Sequence, residues 1–261
     1  MTSVMMLGEY LMGGGEINSL FSPSNTTDGV MKKKWVIKNS IRYLVKQGGL
    51  SGMQHLNEIL ASRISKELGL SYVPYFHFGN NSCACPCFVK AGQNLVTAYD
   101  YLRHKGIHVP DGRSSEHYYP PLCEIFSKVW LDGMILLDYI IMNSDRHLKN
   151  FCLLQDAEIG SILGSAPIFD NGNSLFHGIN LAKEYPFQNL ICLSRPFSKT
   201  HDQQILLADL KPFKGQLHNL DSKVQDMVED VYGSSGLRDE FVDGLGMLLR
   251  GRVRAIMKEL T

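Results

Sequence analysis

Between residues 34 and 46 the chain reads KWVIK, then Asn39-Ser40, then IRYLVK. Two β-rich runs around a two-residue polar turn predict a hairpin, ended by Gly48 and Gly49. Over residues 53–68 the apolar positions are Met53, Leu56, Ile59, Leu60, Ile64 and Leu68, the spacing of one helix face, with Gly69 as its stop. Residues 72–78 and 83–90 read as two more strands. The stretch 92–120 mixes aromatics, histidines and glycines and yields no assignment, whereas 122–142 predicts a strongly apolar helix. Short apolar runs at 151–154 and 166–169 flank a turn region at 156–164 and predict a second, buried hairpin. Helical spacing returns at Val224, Met227, Val228 and Val231. It returns again in the stripe Phe241, Leu245, Leu248, Leu249, Val253, Ile256 and Leu260.

The pattern changes character near Lys90, from strands around one helix to a mainly helical remainder. This predicts two lobes, an N-lobe over 1–90 and a C-lobe over 91–261. The fold class is therefore α+β, with a small β-rich lobe and a larger helical one. Composition narrows the partners. Of 261 residues 44% are hydrophobic, enough for a sizeable core, and 26 basic residues balance 26 acidic ones. Zero net charge supplies no general field for polyanions, so direct nucleic-acid binding is not expected. The most apolar window, GMILLDYIIM, is about half the roughly 20 residues of a membrane helix and contains Asp138. It reads as a core helix, and no membrane association is expected. The N-terminus lacks a basic region and carries Glu9 within its short apolar stretch. A signal peptide is therefore not expected, and a reduced cytoplasmic setting fits the six scattered cysteines. Cys83, Cys85 and Cys87 alternate along one strand. Such a cluster is either a metal clip or the small buried face of a strand, and the missing second ligand pair favours the strand.

Candidate chemistry concentrates where the apolar helix gives way to the second hairpin. The segment IMNSDRHLKNFCLL sets Asp145, Arg146, His147 and Asn150 between two buried elements, and PIFDNG follows with Asp170 at a strand end. Unpaired polar groups between buried elements are costly, so such a cluster points to a site. Protein kinases place a catalytic-loop Asp five residues before a metal-binding Asn, with a metal-binding Asp on a later strand end. Here Asp145 is the candidate base, and Asn150 and Asp170 are the candidate Mg²⁺ ligands. Arg146 and His147 complete the catalytic loop as bracing donors, and Lys149 is either a phosphate contact or an exposed charge. In the N-lobe, Lys46 on a strand and Glu58 on the next helix are candidates for the ion pair that grips ATP phosphates. Phe88 and Val89 fall where the lobes meet and would offer backbone to the adenine edge. No GxGxxG is present, so the phosphate loop is assigned by position to 22–34. Lys32, Lys33 and Lys34 in it read as a solvated strand entry.

The strings NSDRHLKNF and APIFDNG, with LNEILASRISKELGL upstream, resemble the HipA-like serine/threonine kinases of bacteria. The resemblance covers roughly residues 31–175, and the chain is similar in size to the short, stand-alone members. It implies a two-lobed protein-kinase-like fold, ATP and Mg²⁺ as cofactors, and phosphorylation of Ser or Thr on a protein substrate. It further implies autophosphorylation at the phosphate loop, with Ser22 and Ser24 as candidates, and toxin–antitoxin biology with an antitoxin partner. Two other readings stay open. A phosphoinositide-type lipid kinase shares the DRHxxN loop, although no basic membrane patch is evident. A toxin-like binding module on a kinase fold would dock a partner without chemistry.

Overall fold

The computed structural model describes residues 32–48, 52–110, 112–175 and 192–260. Two strands, β1 (Lys33–Lys38) and β2 (Ile41–Gln47), pair antiparallel in the register Lys38↔Ile41. Asn39 and Ser40 between them both have positive φ, 50° and 62°. That is the type I′ turn whose twist matches a two-residue hairpin, adopted here without glycine. Helix α1 (Gln54–Glu67) follows, with Gly69 at φ 69° past its end. Strands β3 (Phe76–His77) and β4 (Ser82–Pro86) complete a four-stranded sheet in the order β1-β2-β4-β3.

The strands expected at 72–78 and 83–90 are shorter than their apolar runs. The residues before Phe76 make only an isolated parallel bridge, Tyr72 with Ile168. β4 stops at Pro86, whose ring cannot donate to the ladder. Alternation along the strands divides the sheet into two faces. Val36, Tyr43, Val45, Phe76 and Ala84 form one apolar cluster. Cys83 and Cys85 join the main core on the opposite face, and their register partners Lys46 and Leu44 share it. The cysteines are thus buried strand residues, and burial pushes the Cys85 thiol up to about 12.

The unassigned region opens with strand β5 (Gln93–Thr97), then helix α2 (Ala98–His104), capped by the Thr97 hydroxyl on the Asp100 amide. The helix expected over 122–142 is two helices, α3 (Tyr119–Phe126) and α4 (Lys128–Ile141). Ser127 between them has φ 63° and ψ 126°, a kink that apolar periodicity does not report. The second hairpin is present as β6 (Cys152–Asp156) and β7 (Ile162–Ser165), and β5 pairs with β6 to make a three-stranded sheet. Its second strand lies earlier than the apolar run 166–169, because Ala166 onward turns away toward Tyr72. Short helix α5 (His201–Gln204) and long helices α6 (Lys214–Tyr232) and α7 (Asp239–Glu259) close the chain. One apolar cluster joins α1 residues such as Ile59, Leu60 and Ile64 to Leu137, Leu217, Val224 and Leu249. The small-lobe helix therefore sits in the core of the large lobe. No helix among the described residues is long and apolar enough to cross a membrane.

Candidate active site

Helix α4 ends at Met142, whose left-handed backbone (φ 52°, ψ 47°) reverses the chain while the Asn143 amide donates to Asp138 O at 3.0 Å. The loop that follows is organised by a buried ion pair. Arg146 donates Nε to Asp138 Oδ2 at 3.0 Å and Nη2 to Oδ1 at 3.0 Å, and both side chains are fully buried. The remaining guanidinium donors reach the carbonyls of Asn150 (3.1 Å) and Phe169 (2.6 Å) and the Asn171 side chain. A planar, permanently charged fork suits this work. A single nitrogen, Nη1, holds Asn150 and Phe169 together, which brings Asn150 beside the strand end bearing Asp170. Arg146 thus stands behind the loop as a positioning residue rather than on its open face.

Asp145 is the open member of the loop, with its side chain about one-third exposed. Asn173 donates to Oδ2 at 2.8 Å, and Arg195 Nη1 stands 4.0 Å from Oδ1. The Asp145 backbone is held by Asn143 Oδ1 on its amide (3.0 Å) and by the amides of His147 and Asn150 Nδ2 on its carbonyl (both 2.8 Å). A carbonyl only accepts, so the Asn150 amide nitrogen must face it. Asn150 Oδ1 is then left as an acceptor, bonded to no donor among the described residues. His147 is half-buried and accepts from the Lys149 amide at 3.3 Å. Burial lowers its pKa, opposed by the nearby Asp145 and Asp170 carboxylates.

Asp170 follows in a left-handed conformation, φ 59°. A non-glycine residue held there is backbone strain of the kind kept at sites. The strand end is pinned to the segment after α1 by Val73 N to Ile168 O (3.0 Å) and Ile168 N to Ser71 O (2.8 Å). Across the cleft, Lys46 Nζ contacts Glu58 Oε1 and donates to Asp170 Oδ1 at 2.8 Å. Glu58 Oε2 in turn accepts from the Asn171 amide at 2.9 Å. Burial opposes the charged form of Lys46, but Asp170 and Glu58 outweigh it and raise its pKa. Burial would likewise raise Asp170, yet Lys46 and then Lys33 hold it down to about 2. The cleft between the lobes has an apolar wall of Trp35, Leu44, Cys85, Val89 and Phe169 and a charged end at Lys46 and Asp170. Phe88 lines it too, packed on Phe169 with ring centroids 5.6 Å apart.

Lys46, Phe88, Val89 and Asp170 line this cleft, and Glu58 is bonded to Lys46 behind it. Asn150 is tied to the Asp170 strand end through Arg146, and Asp145 and His147 lie on the same loop, outside the cleft wall. Ser22 and Ser24 lie outside the described residues. Sequence reasoning missed Asn57, Asn171 and Asn173, as well as the partner of Asp138. Asn57 is fully buried and donates to Gly172 O (2.9 Å) and Ser174 O (2.5 Å) while accepting from the Tyr232 hydroxyl (2.5 Å). The one available signal was Asp138, an acid within the most apolar window of the chain.

This architecture is the two-lobed, protein-kinase-like α+β fold: a small antiparallel sheet and one helix over a mainly helical lobe, with the cleft between them. Two solved structures carry the same fold. The Helicobacter pylori proinflammatory kinase CtkA is 18% identical over 87% of this chain and 94% of its own, with a TM-score of 0.62. HipA of the Shewanella oneidensis MR-1 toxin–antitoxin system, solved with HipB and operator DNA, is 13% identical over 97% of this chain and 70% of its own, with a TM-score of 0.53. At such identities the likeness to HipA-like kinases is one of fold. No family model matches the sequence, and no curated protein does.

Proposed function

We propose that this chain is an ATP- and Mg²⁺-dependent protein kinase that phosphorylates serine or threonine. The observation that carries the reading is the chain of contacts Glu58–Lys46–Asp170, continued through Arg146 to Asn150 and the Asp145 loop. The order of these residues along the chain and the contacts among them support the kinase template. The apolar wall offers a slot for adenine, with the backbone of Phe88 and Val89 at its edge. Lys46, fixed by Glu58, would hold the α- and β-phosphates. Asn150 Oδ1 and the Asp170 carboxylate are hard oxygen donors of the kind Mg²⁺ takes, and they are the residues that would hold it. The ion would neutralise charge on the phosphates during transfer. Asp145, aimed by Asn173, would accept the proton of the acceptor hydroxyl as its oxygen bonds the γ-phosphorus and ADP departs. Ser22 and Ser24 remain the candidates for autophosphorylation. HipA is solved with HipB, and a protein partner of the antitoxin type is the corresponding proposal for this chain.

Calorimetric titration of ATP with and without Mg²⁺ tests the nucleotide half. The expected result is Mg²⁺-dependent binding that Asp170→Asn weakens at least tenfold. Absence of nucleotide binding to the wild type would favour the binding-module reading instead.

A further inference from the structure

A second cavity, about 240 Å³, lies beside the catalytic loop and shares no lining residue with the nucleotide cleft. Arg113, His147, Lys149 and Arg195 line it, over an apolar floor that includes Val109 and Leu148. No carboxylate lines it among the described residues. Lys149 Nζ lies over the Tyr99 ring at 5.1 Å, and Arg195 leans toward Asp145 at 4.0 Å. Neither Arg113 nor Lys149 forms an ion pair among the described residues. Three exposed cations around one concavity repel each other, and low-dielectric walls focus their field on an incoming anion. A polar rim over an apolar floor is also the usual form of a side-chain pocket.

We propose that this cavity receives an acidic side chain of the protein substrate, a carboxylate or a phosphate, within a few residues of the acceptor hydroxyl. The inference rests on the protein-kinase reading and adds to it a substrate class. Position supports it. His147, Leu148 and Lys149 lie just past the candidate base, after Arg146, and Arg195 reaches both cavity and base. A substrate with its hydroxyl at Asp145 therefore has its neighbouring residues at the cavity mouth. The apolar floor suits the stem of such a side chain, and guanidinium forks suit both carboxylate and phosphate.

The test uses the full chain and three fluorescein-labelled peptides with one central serine. Their flanking positions carry glutamate, phosphoserine or glutamine. Fluorescence anisotropy without ATP reads binding. The expected result is that an anionic peptide binds at least tenfold tighter than the glutamine peptide, and that Arg113→Ala with Lys149→Ala removes the difference. The glutamate and phosphoserine arms show which anion is preferred. Equal binding of all three peptides, or a preference that survives the double substitution, overturns the inference. Transfer of label from ATP is read separately. Acidic peptides that bind selectively yet are never phosphorylated would refute the kinase reading and leave the anion site standing.

Discussion

Asn57 ties the small-lobe helix to the segment after Asp170 and to helix α6, and its removal should be felt in both lobes. Asn57→Ala deletes two donors and one acceptor at a fully buried position. The Tyr232 hydroxyl loses its partner in the core, and the carbonyls of Gly172 and Ser174 each lose one donor. A buried polar group deprived of its partner costs about 1–3 kcal/mol. The hydroxyl and two partly compensated carbonyls therefore sum to about 3–5 kcal/mol, a large share of the ~5–15 kcal/mol that holds a domain folded. Urea unfolding followed by intrinsic fluorescence measures the loss. Tyr232→Phe provides the internal control. Alone it orphans only Asn57 Oδ1 and should cost about 1 kcal/mol. Combined with Asn57→Ala it should cost about 1–2 kcal/mol less than the sum, because the hydroxyl that suffered is gone. A change below about 1 kcal/mol for Asn57→Ala, or strict additivity, would refute the idea that this buried triad fastens α1 to the large lobe.

Two further outcomes are expected. Gly133 lies in α4 where an added Cβ would run into Leu70 Cδ2 and meet the Phe213 ring at 3.1 Å. The overpacking costs about 1–3 kcal/mol against about 1 kcal/mol gained in helix propensity, so Gly133→Ala should lower stability by up to about 2 kcal/mol in the same unfolding assay; a stabilised variant would contradict that packing. His201 is 1% exposed, and burial with the nearby Arg252 guanidinium holds its pKa down to about 3. His55 is held to about 4 by burial and then by His77. As pH falls below about 6.5 the unfolded chain takes up both protons and the folded chain does not. Stability should fall by up to about 1.4 kcal/mol per pH unit per histidine, until about pH 4 for His55 and about pH 3 for His201. His201→Asn should remove about half of that slope between pH 6.5 and 4.5. An unchanged slope would mean that His201 titrates normally.

The candidate site was legible in the sequence because it is written in short, local spacings. Asp145 and Asn150 share one loop, and that loop sits between runs whose burial is plain from composition. Lys46 was readable as the end of a strand and Glu58 as a helix position, and the structure brings both to Asp170. The hairpin at Asn39-Ser40 and the terminal helices were readable for the same reason, since their periods are unbroken. What escaped depends on long-range pairing. Asn57 looks like any polar helix residue until Gly172 and Tyr232 arrive more than a hundred residues later. Asp138 gains meaning only when Arg146 folds back beneath it. The kink at Ser127 is a backbone event with no apolar signature, and β5 is a strand because β6 lies beside it. The second hairpin strand shifted because Ile168 is used elsewhere, held by Ser71 and Val73.

Asp145 is proposed to serve phosphoryl transfer to protein. Purified chain incubated with Mg²⁺ and γ-labelled ATP, alone and with peptide substrate, tests it directly when run beside Asp145→Ala. The expected result is label on serine or threonine with the wild-type chain and none above background with the variant. Equal labelling by both proteins, or no labelling by the wild type, would contradict it.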